Sequence, residues 1–397
     1  MKTYKFRLYP SKEIEVKLHR TLDLCRFTYN ALLAELGEWE SISRYELQSM
    51  VLDLEICNPE LREVHSKVLQ YENYRLFSNL KALGETKKKG RKVGRLRFKG
   101  KGFFKTFAYN QSGYKLMLTG KRCQTLRLSK IGDILIRCHR NVEGDIKQIV
   151  VKKEQSGKWF AFLITDEKKE IKQKEIKNVV GIDTGLIDVM WDSDNIKTPN
   201  PKYLNRYAEQ LASCQRRMSK KVKGSTNRDK FRVRLARRYE KLANTRTDFV
   251  HKITRYYANK YDAVGMEDIN YSQMARGRFG KSFLDSCCGQ IRQQMAYKVE
   301  STGGQFVAVD YKGTTIRCNQ CQTEVRKEIW ERVHNCPSCG ISIPRDYNSA
   351  LEIKRLTLIE LGLERPETTP EEMMALHRKV QLSSVNQEAH SSTSGET

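Results

Sequence analysis

Two CxxC pairs, Cys318-Asn319-Gln320-Cys321 and Cys336-Pro337-Ser338-Cys339, stand 14 residues apart in this 397-residue chain. Such pairs bring four thiolates to the corners of a tetrahedron, the arrangement of a zinc ribbon, and so dictate a small loop-rich fold around a metal. Four soft ligands leave no position open for water or substrate, so the predicted Zn²⁺ is structural. His334, two residues before Cys336, is the other candidate ligand and reads better as a surface or supporting group. Any catalyst has to be sought elsewhere in the chain.

The remaining seven of the 11 cysteines (Cys25, Cys57, Cys123, Cys138, Cys214, Cys287, Cys288) show no framework spacing, which fits reduced thiols rather than a disulfide scaffold. With 73 Lys+Arg against 47 Asp+Glu the net charge is +26, an excess that points to a polyanionic partner. No apolar run approaches the roughly 20 residues of a spanning helix, and MKTYKFRLYP has no signal-peptide core. The expectation is a soluble, cytoplasmic protein with no membrane partner.

Alternation over Thr3 to Tyr9 predicts a strand, and Ser11 opens helical periodicity that runs, with a break near Asn58-Pro59, to about Leu83. Lys81 to Lys105 holds 11 basic residues and one acidic, interleaved with Phe98, Phe103 and Phe104 and followed by Phe107, a pattern suited to nucleic acid. Short strands follow from about Leu96 to Glu167, the clearest a hairpin of IKQIVVKKE and KWFAFLITDE around Gln155-Ser156-Gly157. The first strand is predicted to join this β module, which makes residues 11 to 83 a helical insertion. Asn200 to Lys260 is helical and carries 18 Lys+Arg against 4 Asp+Glu, too dense a charge for a mixed solvated face. A further helix is predicted near Ser282 to Ser301, and the tail after Pro366 reads as disordered.

Three carboxylates stand out. The buried-strand patterns VVGID and YDAVGME end on Asp183 and Glu267, and Asp346 opens a predicted helix from about Tyr347 to Leu363. Strand, strand and helix can bring all three acids to one sheet edge, where they repel one another unless cations bind between them. Hard oxygen donors suit Mg²⁺, and two such ions about 4 Å apart support phosphodiester hydrolysis. Each acid also has a bland reading: Asp183 as a turn residue, Glu267 as the partner of nearby lysines, Asp346 as a helix cap.

These motifs, YKFRLYPSKE, CRFTYN, GIDTG, GMEDI, the CxxC pairs and RDYNSAL, resemble the TnpB (OrfB) family of insertion-sequence proteins, related to type V CRISPR effectors, nearly end to end. The resemblance implies an α+β multidomain protein. Its RNase H-like (RuvC) nuclease core would span 176–302 and 341–365 and hold Asp183, Glu267 and Asp346 with two Mg²⁺. A zinc ribbon at 303–340 would carry Cys318, Cys321, Cys336 and Cys339. An N-terminal, β-barrel-like wedge domain at 1–10 and 84–170 would enclose helical recognition residues 11–83. It further implies a monomer per guide RNA (omega RNA) that cuts double-stranded DNA beside a short transposon-adjacent motif, nucleoid-associated when DNA-bound.

By the same resemblance Gln70 matches a family Gln that reads the adjacent motif; the alternative is a surface Gln on an amphipathic helix. Lys88, Arg91, Arg97, Arg216, Arg217, Lys220, Lys221, Arg234, Arg237 and Arg238 are the further expected nucleic-acid contacts. The alternatives are a nuclease-silent guided repressor and a transposase acting on transposon ends. The chain departs from the family pattern at Gln322, where a Gly is common, and at Ser349-Ala350, where two Ala are usual.

Overall fold

The computed structural model describes residues 1–38, 43–117, 124–167, 171–328 and 330–363; the tail predicted to be disordered lies outside them, as does Cys123. Two compact units form, Met1–Lys169 with Asp229–Arg237, and Glu170–Arg228 with Arg238–Thr397.

In the first unit β1 (Lys2–Tyr9) is followed by α1 (Lys12–Glu38), α2 (Arg44–Cys57), a 3₁₀ turn (Pro59–Glu63) and α3 (Ser66–Lys88). Strands β2 (Thr106–Asn110), β3 (Tyr114–Met117), β4 (Gln124–Leu128), β5 (Gly132–Arg137), β6 (Asp145–Lys153) and β7 (Trp159–Asp166) complete it. They form one antiparallel sheet in the order β2-β6-β7-β1-β5-β4-β3. β1 is therefore central, paired with β7 on one side and β5 on the other. Among the described residues the ladder ends at β2 and β3, with no hydrogen-bonded pairing between them to close the expected barrel. Alternation does what it predicts: Tyr4, Phe6 and Leu8 point inward against Leu18, Cys25, Tyr29 and Val68 of the helices. Each such burial contributes about 1.5–3 kcal/mol. Ser11 Oγ accepts from the Ile14 amide and starts α1. Helix α3 outruns its expected end near Leu83 because Glu85 to Lys88 holds no breaker before Gly90.

The second unit is built on β8 (Val179–Asp183), β9 (Asp188–Asp192), β10 (Lys197–Pro199), β11 (Ala263–Glu267) and β12 (Gln305–Val309). The order is β10-β9-β8-β11-β12, with β8, β11 and β12 parallel and β9 antiparallel to β8. β12, assigned with the ribbon from sequence, is thus an edge strand of this sheet, because its apolar run pairs residue for residue with β11. The long helices are α4 (Tyr203–Ser219) and α5 (Thr226–Lys260). After the short α6 (Tyr271–Met274), the helix expected near Ser282–Ser301 is divided into α7 (Gly280–Ser286) and α8 (Cys288–Ser301), since Cys287 adopts a left-handed φ of 61°. The pair β13 (Val333–Asn335) and β14 (Ser342–Pro344) precedes α9 (Arg345–Glu360).

One face of the sheet packs on α5 and α8 through Val180, Ile182, Val264, Met266, Val250, Tyr257, Ile291 and Met295. Helix α9 covers the other face unusually closely. Gly181 and Gly265 are partners across β8 and β11. A Cβ on Gly181 would meet Ala350 O and Lys354 N at 2.3 Å, and one on Gly265 would meet Thr357 Oγ1 at 1.8 Å. Only glycine leaves room for the helix at this height.

Candidate active site and metal centre

Ile182 and Met266 are register partners in the parallel pair β8–β11, so the residues that follow them, Asp183 and Glu267, leave the sheet side by side at its carboxyl edge. Ligand crevices of open parallel sheets form at that edge. Asp346 is the second residue of α9, which lies on β8, and the close approach at Gly181 holds it over the same edge. The three acids line one cavity of about 730 Å³ together with Arg332 and Arg345.

Asp346 does not cap its helix: Pro344 occupies the cap without a side-chain bond, and Asp346 sits inside the first turn. Glu267 is 7% exposed and accepts from the Thr314 hydroxyl, not from a lysine. Burial pushes the Asp183 carboxyl well up, and the negative charges of Glu267 and Asp346 push it further, against the opposing pull of Arg345. Burial also raises Glu267, with Thr314 opposing. Arg345 Nε donates to Asp346 Oδ1 at 3.1 Å. The cluster carries more negative charge than its surroundings compensate, which is the electrostatic signature of a site completed by cations. Carboxylate oxygens are the donors that hard divalent ions take.

Several residues here carry no local sequence signal. Tyr271 OH and Thr184 Oγ1 lie 2.8 Å apart, and Cys288 Sγ donates to Gly185 O, so two groups far along the chain hold the turn directly after Asp183. Arg345 was visible as the residue before the third acid, but its reach into the cavity depends on the fold.

The ribbon cysteines converge as the spacing predicts. Ligand atoms of Cys318, Cys321, Cys336 and Cys339 all lie within 4.8 Å of one another. Cys321 and Cys336 sulfurs are 3.4 Å apart and those of Cys318 and Cys339 3.6 Å. A tetrahedron with metal–sulfur bonds of about 2.3 Å has edges of about 3.8 Å, so the cluster fits a metal ion. Among the described residues this is the one such group of three or more potential metal ligands. Burial raises the Cys336 thiol, but the amides of Cys339 and Ser338 outweigh it and hold it to about 7, while burial pushes Cys339 up to about 12. His334 stays out of the group, fully buried with no hydrogen-bond partner on either ring nitrogen.

The expected nucleic-acid residues are distributed over both units. Gln70 is half-buried on α3, while Lys88, Arg91 and Arg97 are exposed on or after it. That basic segment is anchored: Asn30 exchanges hydrogen bonds with the Lys99 backbone at 2.8 and 3.0 Å. Arg216, Arg217, Lys220 and Lys221 project at the end of α4. On α5, Arg234 lies over Phe231, Arg237 donates to Ser156 O, and Arg238 donates to Gln210.

Comparison with known proteins agrees with this architecture. Residues 148–278 match the OrfB family of IS605 elements, described as "Probable transposase". Residues 289–353 match a Cas12f1-like TNB domain, and residues 1–40 match the helix-turn-helix domain of the same OrfB family. The chain thus carries segments that match the OrfB family at both 1–40 and 148–278, and it resembles the TnpB (OrfB) nucleases related to type V effectors. The family's helix-turn-helix segment corresponds here to β1 and the single helix α1. A relative from Escherichia coli (strain K12), "Putative RNA-guided DNA endonuclease InsQ", is 27% identical over 379 residues, 89% of this chain and 91% of its own length. A Streptomyces pristinaespiralis protein described as "Putative RNA-guided DNA endonuclease" is 28% identical over 370 residues, covering 89% of this chain and 88% of its own length. In fold, the chain resembles the protein in a cryo-EM structure of a Cas12f1–sgRNA–target DNA complex, with a TM-score of 0.57 at 14% identity over 89% of this chain and 98% of that one. No helix among the described residues is long and apolar enough to cross a membrane.

Proposed function

We propose that this protein is a TnpB-like RNA-guided DNA endonuclease of an insertion sequence, the activity named for two relatives that align along most of its length. The observation that carries the reading is the meeting of Asp183, Glu267 and Asp346 in one cavity whose charge is uncompensated. Strand order β10-β9-β8-β11-β12, with one antiparallel neighbour to three parallel strands, supports an RNase H-like core. In this reading Asp183, Glu267 and Asp346 would hold two Mg²⁺, whose chemistry there would be activation of a water and stabilisation of the leaving oxygen of a phosphodiester. Arg345, tied to Asp346 and lining the cavity, meets the substrate phosphate. Zn²⁺ in the four-cysteine cluster is structural, since its donor set is closed.

Sequence choice then belongs to a guide RNA, and the protein supplies a basic path for backbone and reads a short duplex motif. Gln70 on α3 is the candidate motif reader, because Gln pairs bidentately with adenine in the major groove. The net charge of +26 suits both nucleic acids. The protein acts in the cytoplasm, as a monomer per guide.

The test is cleavage of a matching plasmid in Mg²⁺ by protein purified with RNA from the transposon end. Asp183→Ala, Glu267→Ala and Asp346→Ala are each expected to lower the rate by at least about 10³-fold while retaining the RNA. Cutting by Asp183→Ala at the wild-type rate would falsify the site assignment. Strand transfer of a transposon end by RNA-free protein would point instead to a transposase.

A further inference from the structure

Gln322 follows the first cysteine pair and holds a φ of 61°, in the left-handed region where glycine is at ease and a Gln side chain is not. Its side chain does something a glycine cannot. Gln322 Nε2 donates to Cys318 O at 3.1 Å, to Asn319 O at 3.3 Å and to Glu352 Oε2 at 3.0 Å. Glu352 is fully buried on α9, and Arg355 holds it with bonds of 2.9 and 2.8 Å.

One helical turn earlier, the fully buried Asn348 grips the same knuckle directly. Its Oδ1 accepts from the Asn319 amide at 3.1 Å and its Nδ2 donates to Arg317 O at 2.7 Å. Asn348 and Glu352 are four residues apart and so share a face of α9. Two buried side chains of one helix therefore hold the segment that presents Cys318, Asn348 directly and Glu352 through the Gln322 side chain. Asp346 precedes Asn348 by only two residues.

We propose that Gln322 is a positioning residue that couples the metal-binding knuckle to the first turns of α9, so that a filled four-cysteine site fixes where Asp346 stands. Metal at Cys318 and Cys321 immobilises the knuckle, and the Gln322–Glu352 and Asn319–Asn348 bonds pass that constraint to the helix. The effect on Asp346 as a catalytic ligand rests on the nuclease reading; the mechanical coupling does not.

Two variants isolate the side chain. Gln322→Gly and Gln322→Asn both accept the left-handed backbone, yet neither reaches Glu352: one has no side chain, the other is a methylene short. The full-length, RNA-bound, zinc-loaded protein is followed by hydrogen exchange across residues 345–352, by zinc transfer to a chromophoric chelator, and by the Mg²⁺ concentration giving half-maximal cleavage. Both variants are expected to bind zinc at the wild-type ratio. Exchange at the start of α9 should speed about fivefold or more, zinc should leave faster, and the Mg²⁺ midpoint should rise. Stripping zinc from the wild-type protein should reproduce the exchange change. A role confined to capping the knuckle predicts faster zinc transfer with exchange at 345–352 unchanged, and that result overturns the proposal. A wild-type protein that cuts nothing would remove the nuclease reading, whereas the exchange and zinc results would still decide the coupling.

Discussion

Substituting Gly181 by Ala adds a single methyl group at the contact between β8 and α9, and the cost can be worked from the geometry. The new Cβ would stand 2.3 Å from Ala350 O and from Lys354 N. Ordinary contact begins near 3.4 Å, so the helix has to withdraw by about 1 Å (3.4 − 2.3) or the strand has to bend away. Both obstructing atoms are backbone, so no side chain can swing aside to relieve them. Overpacking of this kind costs about 1–3 kcal/mol, lessened by the roughly 0.5–1 kcal/mol that Ala gains over Gly in a strand. For a unit of this size the melting temperature should fall by several degrees, at about 2–4 °C per kcal/mol.

The larger consequence is for the site. Asp346 rides on α9 and Asp183 ends β8, so a shift of about 1 Å separates the acids, and misplacement on that scale can lower a reaction rate by about 10²-fold. Thermal unfolding and single-turnover plasmid cleavage with bound guide measure the two effects. Gly265→Ala provides the contrast, because its obstruction is the Thr357 side chain, and Thr357→Ala should restore part of the loss there but none at Gly181. A Gly181→Ala protein that melts within a degree of wild type and cuts within twofold of its rate would refute the reasoning.

Two pH-dependent outcomes follow from buried acids. Asp183 has its folded pKa raised, so its contribution to stability is full below the unfolded carboxylate value and is lost as pH rises through the folded one. Asp183→Asn should therefore raise the melting temperature at neutral pH in the absence of divalent ions, with the gain vanishing towards pH 4, although it abolishes cutting. Glu72, fully buried on α3, is pushed up to about 8 by burial despite Arg75 at 3.2 Å. The sign is the same: stability declines as pH rises towards 8, and Glu72→Gln should be the more stable form at pH 9 while matching wild type near pH 4. Denaturant titrations across that range check it, and parallel pH profiles for the two proteins would count against an ionising Glu72.

Legibility in the sequence tracked the range of the interaction. β8 and β11 were readable because an apolar run ending in an acid is a local pattern, and the cysteine cluster because ligand spacing within each pair is nearly all its geometry requires. Nothing in Gln305–Val309 names the neighbour of β12; the pairing with β11 comes from the parallel crossover through α8. The break at Cys287 was missed because a cysteine with positive φ is held by its surroundings and not by propensity. Gly181 and Gly265 looked like ordinary small residues in strands, and their purpose appears only when α9 lies over them. The bond between Tyr271 and Thr184 joins residues that no local pattern relates.

The dependence of the cavity on α9 also sets an order of events during synthesis. Asp183, Glu267 and Asp346 leave the ribosome in that sequence, separated overall by 346 − 183 = 163 residues. At about 5–20 residues per second the third acid follows the first by roughly 8–30 s. From the emergence of Glu267 onwards the nascent sheet has one face without α9, its two glycines bare and its two acids without their third partner. The complete set of carboxylates is assembled by almost the last piece of described structure to be made, so a ribosome that stalls before Arg345 releases a chain that has the strands but lacks the full site.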